Sequence, residues 1–282
     1  MKNYLLYSCI LAFTFLISCE EKVDPSELKL KDGTERIVIE GNIEYFKDED
    51  SQTVNDSGPF IFQITKTTRY FSNTQPNQPN YLSGAVVELS DNTGQYEKLT
   101  EFAPGLHSSA TIKAIPGNIY TLKVSAENKT YTATAKMEVY VPVSSLSYEY
   151  KENETFFDDG YYVTFKAYDP LGIGNHYRVK GYANNSLFNK PEDYVFSDDL
   201  LADGNEIIFE CPFVFKANET ASIEIVSIPE KENDYLETLI QQLNAGSSPF
   251  SVPPANLITN LDNGALGYFG VHSTSRRSLL LP

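Results

Sequence analysis

Tyr120-Thr121-Leu122-Lys123-Val124-Ser125 and, six residues on, Tyr131-Thr132-Ala133-Thr134-Ala135-Lys136-Met137 alternate apolar and polar residues without a break. In a strand, side chains two apart share a face, so each run offers one apolar face to a core. The same period runs outward in both directions. Phe60, Phe62 and Ile64 alternate with Ile61, Gln63 and Thr65, and Ala85, Val87 and Leu89 with Val86, Glu88 and Ser90. Turn-forming residues separate the runs: Asp91-Asn92-Thr93-Gly94, Pro104-Gly105 and Pro116-Gly117-Asn118.

Short strands set between such turns predict a β-sandwich. We expect a mostly β protein: an N-terminal Ig-like or transthyretin-like sandwich over 35–142, then a second β domain over 143–282 with one amphipathic helix. Pro142 closes the first, and 139–147 serves as connector. In the second, Tyr161, Val163, Phe165 and Ala167 alternate with Tyr162, Thr164, Lys166 and Tyr168, and further strands are predicted over 177–182, 206–215 and 221–228. The helix is predicted over 232–244, where Tyr235, Leu236, Leu239, Ile240 and Leu243 form one stripe. Glu230, Glu232 and Asp234 suit its positive N-terminal end, and Gly246 is placed to end it. Residues 247–256, rich in Ser and Pro, read as an extended loop.

The N-terminus carries an address. Lys2 precedes a mostly apolar run, Tyr4 to Ile17, which is shorter than the ~20 residues of a membrane-spanning helix. It ends in Leu16-Ile17-Ser18-Cys19, a sequence that looks like a bacterial lipobox. Residues 1–18 are expected to be cleaved as a signal peptide, and Cys19 to be lipidated. The acyl chains would anchor the chain on a membrane, each buried methylene contributing about 0.8 kcal/mol. Glu20 and Glu21 resemble the acidic export signal that sends Bacteroidota lipoproteins to the outer face of the outer membrane. Residues 19–34 then form a polar, flexible tether.

Charge and cysteine content agree with an exported chain. The 282 residues carry a net charge of −16, which becomes −17 once Lys2 leaves with the signal peptide. Nucleic acid, which needs a basic footprint, is excluded as a partner on that ground. Of three cysteines, Cys9 leaves, Cys19 is lipidated and Cys211 remains, so no intrachain disulfide is expected. Cys211 sits in the apolar run Ile207-Ile208-Phe209-Glu210-Cys211-Pro212-Phe213 and reads as a core thiol.

No catalytic or metal motif stands out. His107, His176 and His272 are scattered without metal-ligand spacing, and a Gly-x-Ser-x-Gly elbow is absent. The acidic stretch Asp198-Asp199 with Asp203-Gly204-Asn205-Glu206 offers hard oxygen ligands, but not at EF-hand spacing, and reads as turn capping. No cofactor and no metal are expected. Tyr148, Tyr150, Tyr161, Tyr162 and Tyr168 cannot all face inward, so some are candidates for an exposed interaction platform.

One ordered set of motifs is characteristic. After the lipobox come Ile37-Val38-Ile39-Glu40-Gly41, Ser83-Gly84-Ala85-Val86-Val87, Pro104-Gly105-Leu106 and Gly117-Asn118-Ile119-Tyr120-Thr121-Leu122. The end carries Asp234-Tyr235-Leu236-Glu237-Thr238-Leu239, Ser248-Pro249-Phe250, Asn260-Leu261-Asp262-Asn263-Gly264 and Leu266-Gly267-Tyr268-Phe269-Gly270. In this order they resemble the Bacteroidota outer-membrane lipoproteins grouped as domain of unknown function 4249. That resemblance implies a surface lipoprotein accompanying a TonB-dependent outer-membrane transporter, and it carries over no catalytic or ligand residues. Gly264, Gly267 and Gly270 are expected to permit tight turns or close packing. In Asn263-Gly264-Ala265-Leu266 the chain departs from the family, whose paired glycines lie closer together. The expected role is a non-enzymatic accessory subunit that captures substrate or gates the barrel. A surface adhesin or assembly protein is the alternative, and a hydrolase a third reading.

Overall fold

The computed structural model describes residues 34–68, 79–153, 155, 158–199, 202–244 and 257–282. Cys19, Glu20, Glu21, the tether and the loop 247–256 lie outside the described residues. Arg36–Thr67 and Asn77–Pro282 form one compact unit. Its main strands are β1 (Ile37–Asp48), β2 (Ile61–Lys66), β3 (Val86–Asp91), β4 (Ile119–Ala126), β5 (Lys129–Lys136), β6 (Val143–Lys151), β7 (Gly160–Tyr168), β8 (His176–Ala183), β9 (Glu206–Glu210), β10 (Thr220–Ile228) and β11 (Leu266–Leu280). One helix, α1 (Glu230–Asn244), precedes β11. The protein is mostly β, as its two-residue period requires.

The strands form one large sheet and two small ones. The large sheet runs β8-β10-β11-β1-β2 and is extended at both ends by short strands. The small sheets are β5-β4-β3, ending on Tyr96–Lys98, and β6-β7-β9. The last strand thus occupies the middle of the largest sheet. It pairs antiparallel with β10 and parallel with β1, Ile43 opposite Val271.

Register decides which face of the large sheet is covered. Ile39 and Ile43 share a side with Phe269 and Val271, and this side continues through Ile225 and Ile223 to Val179 and Tyr177. All of these are buried. Over β1 and β2 the four-stranded sheet closes a first core, with Val87, Leu89, Tyr120, Leu122 and Val124 fully buried. Over β8 and β10 the three-stranded sheet closes a second core with Val163, Phe165, Cys211, Phe213 and Phe215. Burial pushes the Cys211 thiol up to about 12, as an inert core cysteine requires. Leu261, Ala265, Phe269 and Val271 belong to the first core, and Leu281 to the second, so the C-terminal segment supplies both.

Between the cores the buried face turns polar. Ser273 and Ser275 are fully buried. Ser275 Oγ accepts from the Val143 amide at 2.8 Å, and Ser273 Oγ donates to the Val139 carbonyl at 3.1 Å. The connector that leaves β5 crosses here, and these hydroxyls satisfy backbone groups that would otherwise be buried unpaired.

The motif before β11 acts as a hook. The Asn260 side chain exchanges two hydrogen bonds with the Phe269 backbone, Asp262 accepts from the Thr132 amide at 2.7 Å, and Asn263 donates to the Thr130 carbonyl at 2.7 Å. Gly264 takes φ +80° in this turn. Gly267 takes φ +91°, and a Cβ there would stand 2.1 Å from the Ile39 carbonyl oxygen. Backbone cannot give way as a side chain can. Gly267→Ala is therefore expected to lose roughly 2–4 kcal/mol of folding stability, read as a lower urea midpoint, whereas Gly94→Ala, at a left-handed turn in open space, should lose about 1 kcal/mol. Equal losses would show that close approach at Gly267 is not what fixes the strand.

Candidate functional site

The uncovered face of the large sheet carries the side chains that alternate with the cores. They are Glu40, Asn42 and Glu44 on β1, Tyr268, His272, Thr274 and Arg276 on β11, Glu224 and Val226 on β10, and Arg178, Lys180 and Tyr182 on β8. Charges of both signs face each other across adjacent strands. Glu224, buried, accepts from the Tyr182 hydroxyl at 2.9 Å and lies 3.7 Å from Lys180 Nζ and 3.9 Å from Arg276 Nε. Burial raises its carboxyl above the usual range, against the opposing pull of Lys180, Tyr182 and Arg276. Arg276 also stacks over the Tyr182 ring at 4.7 Å. Thr274 Oγ1 donates to Glu44 at 2.6 Å. This part of the face is a closed ionic network.

Helix α1 covers another part. Leu236 is buried against Val226 and Ile228, with Tyr235, Leu239 and Phe196 around them. Tyr235 stacks on Tyr268, centroids 4.7 Å apart. Leu243, at the end of the expected stripe, is exposed. Glu232, read from the sequence as a charge at the helix start, faces inward. It is 5% exposed, and its Oε1 is hydrogen-bonded to His272 Nε2.

Beneath the helix lies a cavity of about 330 Å³, open to solvent. Glu40, Asn42 and Glu44 line one side and Arg178 and Lys180 the other, with Glu232, His272 and the tyrosine pair between. Two buried atoms in this lining have no hydrogen-bond partner among the described residues: Oε2 of Glu232 and Nε of Arg178. The Arg178 guanidinium lies 4.6 Å from the Tyr194 ring centroid. Burial raises the phenols of Tyr235 and Tyr268 above their ordinary value, helped by Glu40 and Glu232 for Tyr235 and by Glu232 and Asp234 for Tyr268.

A second cluster holds a loop. Carboxylate oxygens of Asp169, Asp199 and Asp203 lie within 4.8 Å of one another, close enough to share one hard cation. Each carboxylate already takes donors from the protein. Asp199 accepts from the Gly174 and Asn175 amides at 2.9 and 3.1 Å, Asp203 from Gly172 at 2.6 Å, and Asp169 from Gly204 at 3.1 Å and from the Tyr177 hydroxyl. Turn capping, the sequence reading of Asp199 and Asp203, describes these bonds; Asp169 was not foreseen. The loop so fixed carries Leu171 and Ile173, 87% and 75% exposed.

Other candidates separate in space. His107 is buried with Nε2 3.1 Å from the Ala85 carbonyl, and His176 lies 3.1 Å from the Gly174 carbonyl. Neither joins His272. Tyr148 and Tyr150 are exposed and pack on Tyr161, whereas Tyr162 is buried beneath Lys151 and Tyr168 points to its side of the sheet, exposed. The five tyrosines thus form no common platform. The cavity residues escaped the sequence because they come from four elements, up to 232 positions apart between Glu40 and His272. The available signal was the acid-rich helix start opposite a lone histidine.

A family model described as "Domain of unknown function (DUF4249)" matches residues 23–278. The chain belongs to this family. None of the curated proteins matches it. Among solved structures, a two fibronectin type-III domain segment from chicken tenascin aligns at 14% identity, covering 62% of this chain and 87% of that one, with a TM-score of 0.20. A likeness that loose carries no argument. Within the matched range, Asn260–Gly264 forms the hook, Leu266–Gly270 starts β11, and Tyr235 lies on the helix over the cavity.

Acid should release the aspartate-held loop. Burial alone would raise the Asp199 carboxyl, but the Gly174 and Asn175 amides outweigh it and hold it below its ordinary value. A depressed carboxylate stabilises the fold above its unfolded pKa, and that stability is lost as pH falls through the folded value. Asp199→Asn is expected to cost about 1–3 kcal/mol at neutral pH and to flatten the acid limb of a urea-midpoint profile below about pH 4. An unchanged acid limb would place the acid sensitivity elsewhere.

Proposed function

We propose that this chain is a lipid-anchored outer-membrane protein facing the cell exterior, and that it serves a TonB-dependent transporter as a non-enzymatic substrate-capture subunit. The observation that carries the reading is the cavity under α1, lined by charges of both signs on the large sheet. Sites of this kind, preformed and with few convergent polar groups, are suited to small polar ligands. The lipobox at Cys19, the acidic Glu20-Glu21 that follows, and the resemblance to Bacteroidota surface lipoproteins support the address. Leu171 and Ile173 on their aspartate-fixed loop offer an apolar contact for the barrel.

The adhesin or assembly reading has one observation in its favour. Among the described residues β6 pairs with β7 alone, leaving an edge with Tyr148 and Tyr150 exposed, as strand addition requires.

Pull-down of the C-terminally tagged protein from native outer membranes in mild detergent distinguishes the two. One TonB-dependent barrel recovered in near-stoichiometric amount, still present after Tyr150→Lys, is the expected result. Recovery of the protein with further copies of itself and no barrel would overturn the capture role and favour assembly through the β6 edge.

A further inference from the structure

We propose that the loop between β7 and β8 seats on the lipid surface to which the chain is anchored, with Leu171 and Ile173 entering its interfacial layer. The assignment rests on the lipid-anchored reading above and says which end of the protein meets the membrane.

Strand direction carries the argument. β1 and β11 are parallel, β10 is antiparallel to β11, and β8 is antiparallel to β10. β8 therefore runs the same way as β1, and both strands begin at one end of the large sheet. The chain enters β1 at Ile37, 18 positions after Cys19, so the anchor joins the sheet at this end. The same end receives the loop 169–175, which leads into β8 at His176. Leu280, where β11 finishes, lies at the opposite end.

The loop is suited to leaving water. Leu171 and Ile173 are 87% and 75% exposed. An exposed loop ordinarily leaves its backbone groups to solvent, but here the protein engages them. The Gly174 and Asn175 amides donate to Asp199, and the Gly172 amide to Asp203. The Gly172 carbonyl accepts from the Asn175 side chain at 3.0 Å, and His176 Nδ1 lies 3.1 Å from the Gly174 carbonyl. Backbone groups without a partner are costly among lipids, and these bring their partners with them. Asp169 and Asp199 are buried, so two of the three carboxylates that hold the loop stay out of the contact.

Charge selects the lipid. The chain is strongly acidic, and Asp198, opposite His176 at the exit of the loop, is exposed. An anionic surface repels such an end, whereas a zwitterionic phospholipid surface meets the two aliphatic side chains without that penalty. Two side chains hold a free protein only weakly. The acyl anchor, however, makes the first attachment, and the loop adds the second signal that stable, oriented binding needs. A barrel in the same membrane would meet the loop in that plane.

The test places the full-length, lipidated protein on phosphatidylcholine vesicles with no barrel present. Leu171→Cys and, as reference, Leu280→Cys carry a polarity-sensitive fluorophore; Cys211 is buried and does not compete. Emission from position 171 is expected to shift to the blue and to be quenched by brominated lipid, while position 280 shows neither. Adding Ile173→Asp to Leu171→Cys should abolish both signals and leave the urea midpoint unchanged. Replacing part of the phosphatidylcholine by phosphatidylglycerol should weaken them. A label at 171 that stays in water on vesicles retaining the protein, equal responses at 171 and 280, or indifference to Ile173→Asp would overturn the assignment. A response that appears only once a barrel is added would make the loop a barrel contact and overturn the lipid seat. Protein that leaves the vesicles, with Cys19 carrying no lipid by mass spectrometry, would sink the anchor reading and the lipid seat with it.

Discussion

The parallel pairing of β11 with β1 is the constraint on which the rest of this structure depends. Parallel neighbours cannot be joined by a tight turn, and here the connection consumes nearly the whole chain between them. Until the C-terminal strand arrives, β1 and β10 have no common neighbour. Once it is in place, one register fixes both cores on the same side of the large sheet. The Asn260 clasp on Phe269 and the close approach of Gly267 to Ile39 set that register. A slip by one residue would exchange Phe269 and Val271 for Tyr268 and His272 on the buried side. It would also pull His272 away from Glu232, so fold and site share one determinant.

Much of this was legible in the sequence, for a plain reason. Strands with one face buried and one solvated write their pairing face as a two-residue period, and β2, β3, β4, β5 and β7 do so. Helix α1 was equally plain from its stripe. The start of β1 was visible in Ile37-Val38-Ile39. By contrast β11 was not read as a strand. It opens with Gly267 and Gly270, residues unfavourable in strands, and continues through Ser273-Thr274-Ser275-Arg276-Arg277-Ser278. Each departure has a local cause. Gly267 makes room for the neighbouring backbone, and Ser273 and Ser275 bond the connector that crosses between cores. A central strand that must accommodate a crossing chain cannot also show clean alternation.

The site was less legible because its chemistry is not local. Glu232 alone looks like a helix-dipole charge, and His272 alone like a surface histidine. Only the packing of α1 across the sheet brings them together. The aspartate cluster was half visible, since Asp199 and Asp203 are near neighbours in sequence, while Asp169 comes from the end of β7. The tyrosines were legible in part. Tyr148 and Tyr150 are exposed and pack on Tyr161, as a group that cannot all face inward requires, but alternation along β7 sends Tyr162 to the opposite side.

These observations bear on where function can reside in such a fold. Two small sheets occupy one face of the large sheet, so a ligand site must use the other face, an edge or a loop. On that other face, the ionic network around Glu224 satisfies its own charges and leaves nothing for a visitor. The helix then does two things at once. It shields Val226 and Ile228 from water, and it lowers Glu232 into a position where one oxygen is held and the other is not. A helix that served packing alone would place an apolar residue there, since burying a half-satisfied carboxylate is unfavourable. The second oxygen of Glu232, buried without a donor, is a cost to the fold that the bond of the first to His272 offsets only in part.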